Sequence, residues 1–93
     1  MMRELLKNVE IIDEWQNTSV LQPNKKIHYI IFQIGNHYFC ISEMIGEAGL
    51  VIDELENPDR EAYEIKGSAR TFGKRKMKEY IKELIIRYEV KIC

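Results

Sequence analysis

Two stretches of this sequence carry residue types that could do chemistry. The first is His37-Tyr38-Phe39-Cys40. A thiol and an imidazole together suggest nucleophilic catalysis, which needs them within roughly 2.6–3.2 Å of each other. The spacing is wrong for a strand. Positions 37 and 40 differ by an odd number, so on an extended chain their side chains leave opposite faces. A turn histidine and a packed thiol account for them better.

The second stretch is Lys74, Arg75, Lys76 and Lys78, at the expected start of a helix. The helix macrodipole is positive there, so added cations destabilise it. Free backbone N–H groups point out of the same turn. Both features suit an anion. Ser68, Arg70 and Thr71 lie just upstream with further donors, and Lys66 opens the basic run. The expected ligand-binding residues are Lys66, Ser68, Arg70, Thr71, Lys74, Arg75 and Lys78. A competing expectation is that these cations simply stay in water, or dock on the chain's own acidic stretch.

Other constellations are weaker. His28 falls opposite Glu43 in the hairpin register derived below, a pairing of the kind that surface strand ends often make. Asp53, Glu54 and Glu56 lack the alternate spacing, central glycine and distal glutamate of a calcium loop. Gly67 to Lys74 resembles a phosphate loop in composition but lacks the Walker spacing. Cys40 and Cys93 fit neither a disulfide framework nor a zinc site. The sequence therefore predicts no catalytic residues, no metal, no cofactor and no enzymatic activity.

The elements that must position these residues can be read from periodicity. Ile27–Ile34 and His37–Ser42 are rich in β-branched and aromatic residues, and Gly35-Asn36 separates them. That pattern predicts a hairpin with a type I′ or II′ turn. The two-residue loop sets the register: Ile34 faces His37, Phe32 faces Phe39 and Ile30 faces Ile41. One hairpin face then carries Ile30, Phe32, Ile34, Phe39 and Ile41, the expected core face. The other carries Tyr29, Ile31, Gln33, Tyr38, Cys40 and Ser42. Tyr29 and Tyr38 there could stack on bases, but no interleaved cations accompany them, so core or partner contacts are expected.

Leu50-Val51-Ile52 predicts a third strand. Residues 58–66 fit either a short helix, with Asn57 as cap and Pro58 in first place, or a strand alternating through Tyr63 and Ile65. Met77, Ile81, Leu84, Ile85, Tyr88 and Ile92 recur on one helical face. They predict an amphipathic helix over about 72–90, with Thr71 as its cap. Arg75–Glu79 and Glu83–Arg87 fall at i,i+4. Leu5, Leu6, Val9, Ile12 and Trp15 predict an N-terminal helix within 2–16; Ile11 breaks the spacing, and Val9-Glu10-Ile11 equally suits the start of a strand. A loop follows from Asn17 to Lys26. The expected fold is thus α+β, a small antiparallel sheet (hairpin 27–34/37–42 plus one or two further strands) packed against the C-terminal helix.

Composition bounds the rest. The chain has 93 residues, 45% hydrophobic and 31% charged, which suits one globular domain spanning 1–93. A chain of this size buries roughly 60–65% of its unfolded surface. The longest apolar runs, Tyr29–Phe32 and Tyr38–Ile41, are far short of a membrane span of roughly 20 residues. Unpaired cysteines suggest a cytoplasmic setting. The net charge of −1 names no partner, but its distribution is polar. Residues 43–64 hold eight acids against one base, and residues 66–78 hold six bases and no acid. The expected function is a non-enzymatic binding module whose basic 66–78 segment engages an anionic ligand, a nucleic acid or an acidic protein surface, with no membrane partner. The alternative is a small protein-binding inhibitor or adaptor of mobile-element (phage) type, acting through the acidic 43–64 stretch and the mixed sheet face. A homodimer through the hairpin edge, or through Ile86 off the helix's main stripe, is compatible with either.

Overall fold

The structure, a computed structural model, describes residues 2–46, 48–59 and 69–88. They form α1 (Met2–Leu5), β1 (Glu10–Thr18), β2 (Lys26–Ile34), β3 (His37–Met44), β4 (Leu50–Leu55), β5 (Arg70–Phe72) and α2 (Lys74–Tyr88). The strands make one antiparallel sheet in the order β1-β2-β3-β4-β5. This is the expected α+β architecture.

The β2–β3 hairpin has the predicted register, from Ile34 opposite His37 to Ile30 opposite Ile41. Gly35 has φ +58°, and no residue other than glycine has positive φ among those described. A positive φ at the first loop position alone matches a type II′ turn. Alternation then divides the side chains. Ile30, Phe32, Ile34, Phe39 and Ile41 join Leu50 and Ile52 of β4 in the main core. Met77, Ile81 and Leu84 of α2 close that core from above, all three at most 1% exposed.

The N-terminal expectation holds only in part. The helix is a single turn, and residues 10–18 are a strand on the outer edge of β2. Met2, Leu5, Leu6 and Val9 keep helical spacing and pack into the main core. Beyond Val9 pairing with β2 satisfies the backbone and brings Trp15 opposite Tyr29, where the rings stack at 5.0 Å. Cross-strand aromatic pairs of this kind stabilise a sheet. A bulge between Ile11 and Asp13 absorbs the extra residue Ile12, which is why two adjacent isoleucines interrupt the pattern. Thr71 is not a helix cap. It lies in β5, opposite Val51, and α2 begins at Lys74. Residues 60–66, most of the segment compatible with strand or helix, lie outside the described residues. No helix among the described residues is long and apolar enough to cross a membrane.

The hairpin turn also touches α2. A Cβ on Gly35 would clash with the Tyr88 carbonyl oxygen, and the His37 ring stacks on Tyr88 at 3.7 Å between centroids. Gly35→Ala is therefore expected to destabilise the protein by about 1–3 kcal/mol from the left-handed conformation alone, with the carbonyl contact adding to it. Urea unfolding measures this; a variant as stable as its parent would contradict this account of the turn.

Candidate anion-binding groove

The rotation of α2 about its axis is set by Met77, Ile81 and Leu84, which face the sheet. Lys74, Lys78 and Lys82 then fall in an i,i+4 row beside the buried stripe, and all three are exposed. Gly73 precedes the helix, and the Met77 N–H donates to its carbonyl at 2.9 Å. Glycine offers no side-chain oxygen to the first-turn N–H groups. The first turn holds no acid either. The positive end of the helix is therefore neither capped nor neutralised by its own sequence.

The other wall comes from the N-terminus. Burial of Met2 and Leu6 holds α1 and the turn after it beside α2. Between them runs a groove of about 620 Å³, with Arg3 and Lys7 on one side and Lys78 and Lys82 on the other. Leu5, Ile81 and Ile85 give it an aliphatic floor. A smaller hollow of about 340 Å³ adjoins it, lined by Leu5, Lys74, Arg75 and Lys78. Glu4 is the one acid lining either space among the described residues. No carboxylate among the described residues lies within ion-pair distance of Lys74, Arg75, Lys78 or Lys82. The i,i+4 pairs Arg75–Glu79 and Glu83–Arg87 are likewise not formed. Arg87 lies instead over the Tyr88 ring, at 5.8 Å.

The structure thus brings Lys74, Arg75 and Lys78 together and separates other expected site residues from them. Arg70 lies over the Tyr80 ring at 5.7 Å. Tyr80 is two positions from Lys78, so Arg70 sits on the far flank of α2. Thr71 is on the opposite sheet face, beside Ile27, Met44 and Val51. Lys66 and Ser68 lie outside the described residues. Arg3, Lys7 and Lys82 were not anticipated. The i,i+4 spacing of Arg3 and Lys7 put them on one face of the N-terminal helix, but nothing local shows that this face turns toward α2.

Arg3 is anchored. Its Nε donates to Glu14 Oε1 at 2.8 Å, and His28 Nε2 donates to Glu14 Oε2 at 2.6 Å. His28 does stand opposite Glu43 as expected, but its ring turns to β1 instead. Partial burial pushes the Glu14 carboxyl up; the hydrogen bonds and charges of Arg3 and His28 outweigh that and hold it below 4.5. His37 makes a second histidine–carboxylate contact, Nδ1 to Glu54 Oε2 at 3.2 Å.

On the mixed sheet face, Ile31, Cys40 and Leu55 form a second buried cluster flanked by Trp15, Tyr29 and Tyr38. Burial, with the nearby Asp53 charge, pushes the Cys40 thiol up to about 12, which leaves it protonated at neutral pH. Cys40 and His37 are on opposite faces of the sheet, as the spacing requires. Burial also raises the Asp53 carboxyl, whose Oδ1 is buried without a hydrogen-bond partner. Among the described residues no group of three or more His, Cys, Asp or Glu side chains is placed to hold a metal ion.

Glu14 and Asp53 should titrate with opposite effects on stability. The depressed Glu14 stabilises above pH 4.5, its ordinary value, and that contribution is lost as pH falls through the folded pKa. Glu14→Gln should be less stable than the parent at pH 7, with the gap closing in acid. Asp53 is raised above 3.8, so its ionisation in the folded protein opposes folding at neutral pH. Asp53→Asn should be more stable at pH 7, with the gain vanishing below pH 3.8. Denaturant midpoints across pH 3–7 read both; same-sign differences would contradict the two environments. Comparison with protein-family models, with curated proteins and with solved structures finds no match to this chain.

Proposed function

We propose that this protein is a non-enzymatic binding module that engages an anionic or acidic partner at the groove between α1 and α2. One observation carries the proposal. Four cations of α2, Lys74, Arg75, Lys78 and Lys82, crowd one side of the helix with no carboxylate among the described residues within ion-pair distance, and Arg3 and Lys7 face two of them across the groove. An arrangement that works against its own helix is expected where function, rather than stability, selects the residues. The alternative of an inhibitor or adaptor acting through the acidic 43–64 stretch and the mixed sheet face has less support on the sheet side, because the apolar centre of that face is already buried.

Reversing the charge at three exposed positions tests the proposal. The triple variant Lys74→Glu, Arg75→Glu, Lys78→Glu should bind a fluorescein-labelled polyglutamate about tenfold more weakly or worse, and parent binding should fall steeply with salt. Its thermal midpoint should hold or rise, since acids suit the first turn of a helix by about 0.3–1 kcal/mol each. Unchanged binding, or loss of the fold in place of loss of binding, would overturn the proposal.

A further inference from the structure

The groove is amphipathic, and this narrows the chemistry of its partner. We infer that it receives an acidic amphipathic helix of a protein partner; this rests on the anion-binding proposal for the same groove. The floor of Leu5, Ile81 and Ile85 is aliphatic and carries no aromatic side chain. A nucleic acid would leave that floor unused, because bases are held by stacking on aromatic rings or by hydrogen bonds to their edges. A simple anion would use the cations and ignore the floor. A helix with apolar residues at i, i+3, i+4 and i+7, flanked by acids, uses both.

The spacing of the cations fits the same occupant. Lys74, Lys78 and Lys82 repeat every four residues, about 6 Å along the axis. Carboxylates at i,i+4 on a helix lying alongside repeat at the same distance, so several pairs can form in one register. Four residues further on, Ile86 is 79% exposed, but it is not among the residues lining the groove. Arg3 and Lys7, also four apart, close the other side.

Fluorescence anisotropy with the full chain tests this. The probe is an 18-residue capped peptide with leucines at i, i+4, i+7 and i+11 and glutamates flanking them. Its controls are a scrambled isomer of identical composition and an 18-nucleotide oligothymidylate. The unmodified protein should bind the amphipathic peptide at least tenfold tighter than the scramble, a comparison that needs no variant. Ile86→Ser, outside the groove lining, should leave all three probes unmoved; a several-fold loss of the peptide alone would place its binding on another face of α2. Lys78→Glu with Lys82→Glu should weaken all three, with circular dichroism melts showing the fold retained. If peptide and scramble bind alike, or the oligonucleotide outcompetes both, the helix inference is wrong while the anionic groove stands. If the double charge reversal moves none of the probes, the groove itself is not the binding site and both fall together.

Discussion

Burial of Met77, Ile81 and Leu84 against the sheet is the contact from which the arrangement of this protein follows. Each is at most 1% exposed and contributes about 1.5–3 kcal/mol relative to an exposed position. Each cation at the head of α2 opposes the helix by about 0.3–1 kcal/mol. The seam therefore outweighs the misplaced charges, and the helix forms where its own first turn argues against it. The same seam fixes the helix rotation. With Ile81 pointing into the core, Lys78 and Lys82 can only lie beside it, on the flank where α1 packs.

This division of labour explains which parts of the fold are legible in the sequence. The hairpin was fully readable, because a two-residue loop at Gly35-Asn36 leaves one register and alternation does the rest. The closing helix was readable from its stripe, except at its start. Arg70-Thr71-Phe72 is too short to show alternation, so Thr71 passed for a cap when it is a strand residue paired with Val51. The N-terminal segment failed for a different reason. Its apolar spacing is helical as far as Val9 and ambiguous beyond it, and only the free edge of β2 decides in favour of a strand. Tertiary context overrides a weak local preference there.

The candidate site was legible in the same uneven way. The cations of α2 are consecutive in sequence and were visible. Arg3 and Lys7 were not, because their role depends on a contact between chain segments about 70 residues apart, and no local pattern encodes it. His28 shows the same limit at smaller scale. The hairpin register reveals its neighbour on β3 but nothing of β1, where Gln16 stands opposite His28 and Glu14 lies two positions along on the diagonal. Glu43 stands opposite His28 on β3, yet the short hydrogen bond goes to Glu14 on β1.

That bond bears on the groove itself. Arg3 belongs at once to the groove lining and to the chain Arg3–Glu14–His28, which ties α1 to the two strands beneath it. α1 is a single turn, too short to be stable alone. It is held by two buried side chains below and by this ionic link at its side. The link engages Arg3's Nε with Glu14, and Arg3 also lines the groove. One wall of the groove is therefore positioned by β1 and β2, and the other by the α2 seam. Both walls share the main core, where Met2 and Leu6 pack in one cluster with Met77, Ile81 and Leu84, so the backbone on the two sides of the groove is set by a single body of apolar contacts.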